Sequence, residues 1–564
     1  MIFICDLLAE RIFMSQKHAK QKRQPKPHYK RYTLTNVILN TYLLVALTVF
    51  PLFVNLMIVK QFPFISFQNG YMQIRHQKYF FFLVISSVAL VAEIMLLFTK
   101  TAEERNPDHL SSSQFFSTLS FTDWAAVAFA LTCAVSTLIS AHVEVAVKGE
   151  SPFGGRNNGL ILMLFYVALY FLITRCFYYK EYVFTAMAAV NGAICLLAVL
   201  NGFHIDPLGM FIPFKGVTSG PNAHIYNEFM TTIGNKNMFA SHICVTLPVT
   251  ISLFVFAKEL WRKALYLLCT AIGAMAIVVC DSDSVVLGMG AFIAVFFVAY
   301  IRHPERLKRF LLALTVMLLS FKLLRLFSAL GGDNYKELSA IPYKIMLSDK
   351  TFIAIIVLAV LTAALYALSF FKKDTVLPKA VPIALGSLFA LAAVAGVGVI
   401  VYYSVFDTKT DLGEMERVLR FNDAWGTHRG IMWNRALRAF SGFSPMQKLF
   451  GTGPETFCYT FMPYNVELLE YGDSSTDAAH NEYINYLCNI GILGLASYLA
   501  FTGGAMARAF RAAKREPLAL VFASAAVAYM AQAIVNIAVP IAMPLFIIFT
   551  ALCEATARQS KETV

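Results

Sequence analysis

Uninterrupted apolar runs, among them "ILNTYLLVALTVFPLFVNLMIV", "FFFLVISSVALVAEIMLLF" and "TFIAIIVLAVLTAALYALSFF", leave this chain few structural choices. A helix needs about 20 apolar residues to cross about 30 Å of hydrocarbon, where every backbone polar group has to be satisfied internally. About fourteen such spans are predicted, at 36–59, 79–99, 123–143, 158–176, 182–202, 237–257, 264–281, 284–301, 309–328, 351–371, 380–403, 483–505, 518–538 and 540–556. Composition agrees, since 58% of the 564 residues are hydrophobic and only 14% are charged. The expected class is an all-α polytopic membrane protein with about 14 transmembrane helices.

An even number of spans puts both termini on one side. Lysine and arginine in short loops make that side cytoplasmic: "SQKHAKQKRQPKPHYKRY", "KELWRK", "RHPERLKR", "FKKDTVLPK" and "RAFRAAKRE" all fall there. The domains expected are a basic cytoplasmic segment 1–35, helices over 36–403, a large extracytoplasmic loop 404–482 between the eleventh and twelfth spans, helices over 483–556 and a cytoplasmic tail 557–564. The net charge of +13 is taken up by these loops and by attraction to anionic membrane lipids. No motif for nucleic acid is present. The opening stretch "MIFICDLLAERIFM" carries Asp6, Glu10 and Arg11 and lacks a small-residue cleavage site, so it is not expected to be a signal peptide. The 10 cysteines are scattered without a disulfide framework or zinc spacing, which points to packing.

Polar chemistry is therefore expected in the 404–482 loop, which is too long to be a plain connection. Within it, "RGIMWNRALRAFSGF" sets Ile431, Trp433, Ala436, Leu437 and Phe440 near one helical face opposite Arg435 and Arg438, the pattern of an amphipathic helix lying on the bilayer surface. "LFGTGPETF" reads as a turn or as a glycine loop approaching a ligand. In "STDAAHNEYINYLCNIGILGL", Asp477 or Thr476 is a candidate N-cap, which would put His480 in the first helical turn. The helix dipole would there disfavour the imidazolium and leave a neutral, proton-accepting ring.

These stretches resemble the O-antigen ligase and O-antigen polymerase superfamily of integral membrane proteins. The likeness rests on "NDAWGTHRGIMWNRAL", "LFGTGPETF" and "AHNEYINYLCNIGILGL" in that order within one loop, with fainter echoes in "GGRNNGL" and "IGNKNMFASHICVTLPV". The resemblance implies a GT-C-like fold of transmembrane helices in the bacterial cytoplasmic membrane. It also implies a glycosyltransferase that takes an undecaprenyl-diphosphate-linked glycan as donor at the outer face and passes it to a glycan, lipid-core or wall-polymer acceptor, with no cofactor and no essential metal. By this likeness His480 matches the family's base and Arg429 the arginine that holds the diphosphate. One departure stands out: where many members carry an arginine in a Ser-Arg-Gly-Ala stretch, this chain reads "CDSDSVVLGMGA", with Asp283 at the place of the cation.

Lys322 and Arg325, three apart on one helix face, are candidates to replace that cation at the diphosphate, or else they snorkel to the interface. Arg435 and Asn481 are further candidates for substrate binding. His428 is an alternative base, and Glu482 and Asp477 are candidates to orient the imidazole. A single displacement would invert the anomeric carbon. Two rival readings differ in class. Many-span proteins also serve as lipid-linked oligosaccharide flippases, and the acids of "DSD", Asp281 and Asp283, resemble half of a divalent-cation site or else helix caps.

Overall fold

The computed structural model describes residues 27–54, 67–98, 119–150, 156–216, 225–332, 335–371, 378–471 and 475–562. The opening apolar stretch, most of the basic amino-terminal segment, the first residues of "GGRNNGL" and most of the "FKKDTVLPK" loop lie outside them.

Every predicted span holds a helix. In chain order these are α1 (Pro27–Leu44), α2 (Phe67–Phe98), α3 (Phe121–Leu138), α4 (Leu160–Cys176), α5 (Glu181–Gly202), α6 (Lys236–Phe256), α7 (Leu260–Val279), α8 (Ser284–Tyr300), α9 (Pro304–Gly331), α10 (Lys350–Phe371) and α11 (Ala380–Val401). The loop helix α12 (Trp425–Ser441) follows, then α13 (Glu482–Ala512), α14 (Leu518–Gln532) and α15 (Met543–Glu562). Among the described residues eleven helices are long and apolar enough to cross a membrane, while α4 and α8 are shorter apolar helices. The fourteenth predicted span is α15, whose second half carries Glu554, Arg558 and Gln559 and is correspondingly less apolar. The protein is thus a multi-pass, almost wholly helical membrane protein. Its strands among the described residues are the two-residue pair Phe229–Met230 and Gly234–Asn235, antiparallel.

Burial sorts the helices into a centre and a rim. In α6 every side chain from Met238 to Val255 is buried, whereas α11, the more apolar of the two, buries none. A helix apolar all round is stable in either place, because lipid and protein interior are similar solvents for it.

The twelfth span is interrupted. Gly491 sits at φ 71° and ψ −173° inside α13, so the carbonyls of Cys488 and Asn489 lose their helical partners. The "GTG" turn supplies new ones: Thr452 N–H donates to Cys488 O at 3.1 Å and Gly453 N–H to Asn489 O at 2.9 Å. From α3, the Ser136 hydroxyl adds a bond to Asn489 O at 2.8 Å. A Cβ on Gly491 would collide with the backbone of Leu449 and Phe450, and one on Gly451 with that of Asn489 and Ile490. The glycine stretch thus clamps a broken helix, which adds a third use to the two expected of it. Non-helical backbone is tolerated at such depth only where protein satisfies it.

The large loop has its own small core. Ile431, Met432 and Ala436 of α12 pack with Phe457, Phe461, Leu468, Ala479 and Cys488. The apolar face predicted for "RGIMWNRALRAFSGF" therefore turns onto the loop itself. Of the residues assigned to that face, Leu437 is exposed, while Met432, not assigned to it, is in the loop core.

Candidate active site

The histidine of "AHN" stands just outside α13. Asn481 is the N-cap, its Oδ1 accepting from the N–H groups of Tyr483 and Ile484 at 3.0 Å each. Asp477 and Thr476, the expected caps, lie too early, and His480 precedes the helix instead of occupying its first turn. Its backbone is held on both sides. The Trp433 indole N–H of α12 donates to Ala479 O at 3.0 Å, and Asn485 Oδ1 accepts from Ala479 N–H at 3.3 Å. With Ala478 and Ala479 fully buried, the imidazole is placed by a rigid frame, as a reacting group needs to be.

Backbone strain gathers here. Eight non-glycine residues have positive φ among the described residues, and five of them, Asn157, Thr427, His428, Glu455 and His480, fall at or within two residues of Arg156, Arg429, Glu455 or His480. Each such conformation costs about 1–3 kcal/mol and persists where the surroundings over-determine it, commonly at functional sites.

Two guanidinium groups bear on His480. Burial first, then Arg156, then Arg429 push its basicity down, with Asp477 opposing, and together they bring it to about 3. The ring is therefore neutral at pH 7, as expected, with burial and the two cations as the causes. Among the described residues Arg429 bonds only neutral oxygens: Nε donates to Val535 O at 3.1 Å, and Nη1 to Gly426 O at 2.5 Å and Thr427 Oγ1 at 3.0 Å. Arg156 pairs with Asp477, and its backbone N–H donates to a carboxyl oxygen of Glu455 at 2.9 Å. Glu455 is only 6% exposed. Burial raises its carboxyl to about 7 against the pull of Arg156.

The other expected substrate ligands have structural partners. Arg435 lies in ion pairs with Asp423 and Glu467 inside the loop, at 2.9 and 2.6 Å. Glu482 turns into the bundle and accepts from the hydroxyls of Tyr498 and, at 2.9 Å, Tyr529, so its carboxylate is committed away from the imidazole it was expected to orient. The His428 ring lies against Tyr471, with centroids 5.0 Å apart. Lys322 donates to Met346 O and Ser348 O at 2.8 and 2.6 Å. Arg325 donates to Leu347 O at 2.9 Å and pairs with Asp349 at 3.1 Å.

The acids of "DSD" act as caps: Asp281 accepts from the N–H groups of Ser339 and Ala340 at 2.8 Å each, and Asp283 from that of Ile341 at 2.7 Å. Asp283 does not meet Lys322 or Arg325; its charge is felt by Arg429 instead.

Sequence reasoning misses Arg156 and Glu455, although "GGRNNGL" and "GTGPETF" contain them. Together the site offers a neutral imidazole as proton acceptor, Arg429 without an ionic partner among the described residues, and Arg156 with one carboxylate. That is a base beside fixed positive charge, suited to a reaction that takes a proton from a hydroxyl and releases an anion.

A family model described as O-antigen ligase matches residues 345–499, a stretch that includes Arg429, the glycine clamp, Glu455 and His480. No curated protein matches the chain.

Proposed function

The chain belongs to the O-antigen ligase and polymerase superfamily, and from that premise we propose that it transfers a glycan from undecaprenyl diphosphate to an acceptor hydroxyl at the outer face of the bacterial cytoplasmic membrane. The coarser role, a ligase- or polymerase-type step in surface glycan biosynthesis, follows from the family. The finer reading is carried by one observation: a rigidly framed, neutral His480 lies within the field of two guanidiniums.

In this mechanism the acceptor hydroxyl gives its proton to a ring nitrogen of His480. Its oxygen forms a new bond to the anomeric carbon, and the bond from that carbon to the diphosphate oxygen breaks with its electron pair leaving on the diphosphate. Attack from the opposite face inverts the anomeric centre. Arg429 and Arg156 receive the departing charge, with Arg156 taking the second cationic place for which Lys322 and Arg325 are the sequence candidates. No step requires a metal. A diphosphate between the two arginines would also offset the charges that depress His480, so donor binding itself would make the base stronger.

The test is a reconstituted assay that scores new glycosidic bonds separately from lipid flipping. His480→Ala is expected to lower bond formation by ~10²- to 10⁴-fold while donor binding and thermal stability are retained. Full activity in that variant would remove the proposed base, and flipping without bond formation by the wild type would move the protein to the transporter class.

A further inference from the structure

Behind the site lies a cavity of about 10 Å³, enough for one water molecule. It is lined by Glu455 from the glycine clamp, by Asn158 at the start of α4 and by Tyr486 and Asn489 of α13. Three polar atoms of those side chains, Asn158 Oδ1, Asn489 Oδ1 and the Tyr486 hydroxyl, have no hydrogen-bond partner among the described residues, although all three residues are more than nine-tenths buried. The Asn158 amide N–H₂ gives one hydrogen to Ala538 O at 2.7 Å, and its oxygen is left without a donor among the described residues.

A water held there would spend both of its hydrogens on the two amide oxygens. Its lone pairs would then face two groups able to donate, the Tyr486 hydroxyl and a protonated Glu455. The cavity is matched to the acid form of Glu455.

Glu455 is also tied to the proposed base. Its charged and titratable neighbours are Arg156, Asp477 and Arg75 of α2, together with Tyr166 of α4 and Tyr486. Two of these, Arg156 and Asp477, are also the neighbours of His480. The Arg156–Asp477 ion pair is thus a shared neighbour of an imidazole that cannot keep a proton and of a buried carboxyl that can, and the Arg156 backbone N–H bonds that carboxyl directly.

We propose that Glu455, with a water in this cavity, stores the proton that His480 takes from the acceptor. This rests on His480 acting as the base. The acceptor proton moves to the imidazole nitrogen, then by way of the Asp477 carboxylate to a carboxylate oxygen of Glu455, which leaves a neutral ring and a carboxylic acid. After the glycan has moved, the proton leaves by the same path to the released diphosphate or to water, and nothing is oxidised or reduced. Glu455 acts through His480 and does not touch substrate.

The variant that reads this is Glu455→Gln, which keeps an oxygen for the Arg156 N–H but holds no extra proton. In the reconstituted full-length enzyme kcat is expected to fall by ~10-fold or more with the donor KM unchanged. The wild-type rate should fall as pH drops through about 7, when Glu455 is already protonated, and Glu455→Gln should show no such limb; Glu455→Asp should recover part of the rate. Wild-type rate and pH profile in Glu455→Gln would overturn the proposal. If that variant does not fold, Tyr486→Phe serves: loss of its hydroxyl should move the limb, and an unmoved limb counts against the store. The two readings separate cleanly. An active His480→Ala sinks the base, whereas an inactive His480→Ala beside a wild-type-like Glu455→Gln sinks only the proton store.

Discussion

The two ends of α13 carry buried charge in opposite ways. Near Arg508, the carboxylates of Asp123 and Glu554 meet three arginines: Arg175 pairs with Asp123 at 3.0 Å, Arg508 with Glu554 at 2.7 Å, and Arg558 with both, the Glu554 contact at 2.9 Å. Asp123 also closes a capping box with Ser120 at the start of α3. Roughly 40 Å away along the helix, Arg429 meets only neutral oxygens among the described residues, His480 sits within the field of two cations, and Glu455 accepts from a backbone N–H. In the first cluster every charged side chain has an ionic partner, and the cluster ties α3, α4, α13 and α15 together. The second is left to be completed by something else. A site proposed to receive an anion needs a cation left unpaired, and this contrast in ionic pairing supports that reading of the second cluster.

Cutting the fully paired cluster should cost the most. Asp123→Asn would strip two arginines of a fully buried partner, and loss of one member of such a network typically destabilises by about 3–5 kcal/mol. Thermal unfolding in detergent measures this. The rate per folded molecule should be unchanged, and a specific loss of turnover would place that cluster in the reaction. The next largest effect should come from Arg429→Ala: ~10²-fold loss of transfer with stability unchanged or slightly raised, since a cation without an ionic partner is removed. A large drop in stability there would make Arg429 a scaffold residue and blur the two ends.

The pH dependence of stability should distinguish them more gently. His480 has its folded pKa depressed from 6.5 to about 3, so its contribution is complete above pH 6.5 and is lost as pH falls towards 3. Glu455 is raised from 4.5 to about 7, so its contribution is complete below 4.5 and is lost as pH rises through 7. The two slopes oppose one another between these ordinary values and give a plateau with decline on either side. His480→Gln should remove the acid decline and Glu455→Gln the alkaline one. If neither variant alters the curve, these groups do not hold the protonation states assigned to them.

Much of this is legible in the amino-acid sequence, but unevenly. Length and apolarity fix a membrane helix with little help from its neighbours, so all predicted spans hold helices. The order Arg429, glycine stretch, His480 also picks out a loop in which the fold brings Arg429 close enough to act on His480. What the spacing does not supply is pairing over long separations. Arg156 and Asp477 lie 321 positions apart, and no local periodicity joins them. Choice of cap is equally hidden, because Asp477 and Asn481 are both good cap residues and only the tight turn at His480 decides for Asn481. That choice also turns Glu482 inward to Tyr498 and Tyr529. The glycines of "LFGTGPETF" suggest backbone freedom, while their use lies in close approach to a helix that breaks at Gly491.

The smallest expected effect concerns the pair that the sequence offers as substitutes for a missing cation. Lys322 and Arg325 reach the last carbonyls of the short helix Ile341–Leu347, whose first N–H is held by Asp283. The segment is thus capped at both ends by charges of the sign that suits its dipole. Such caps are worth about 0.3–1 kcal/mol each when partly exposed, so Lys322→Ala with Arg325→Ala should lower the unfolding temperature slightly and leave the donor KM unaltered. A donor KM that rose several-fold at unchanged stability would instead make the pair a third arm of the diphosphate site. The uncompensated end of the molecule would then extend from α13 across to α9.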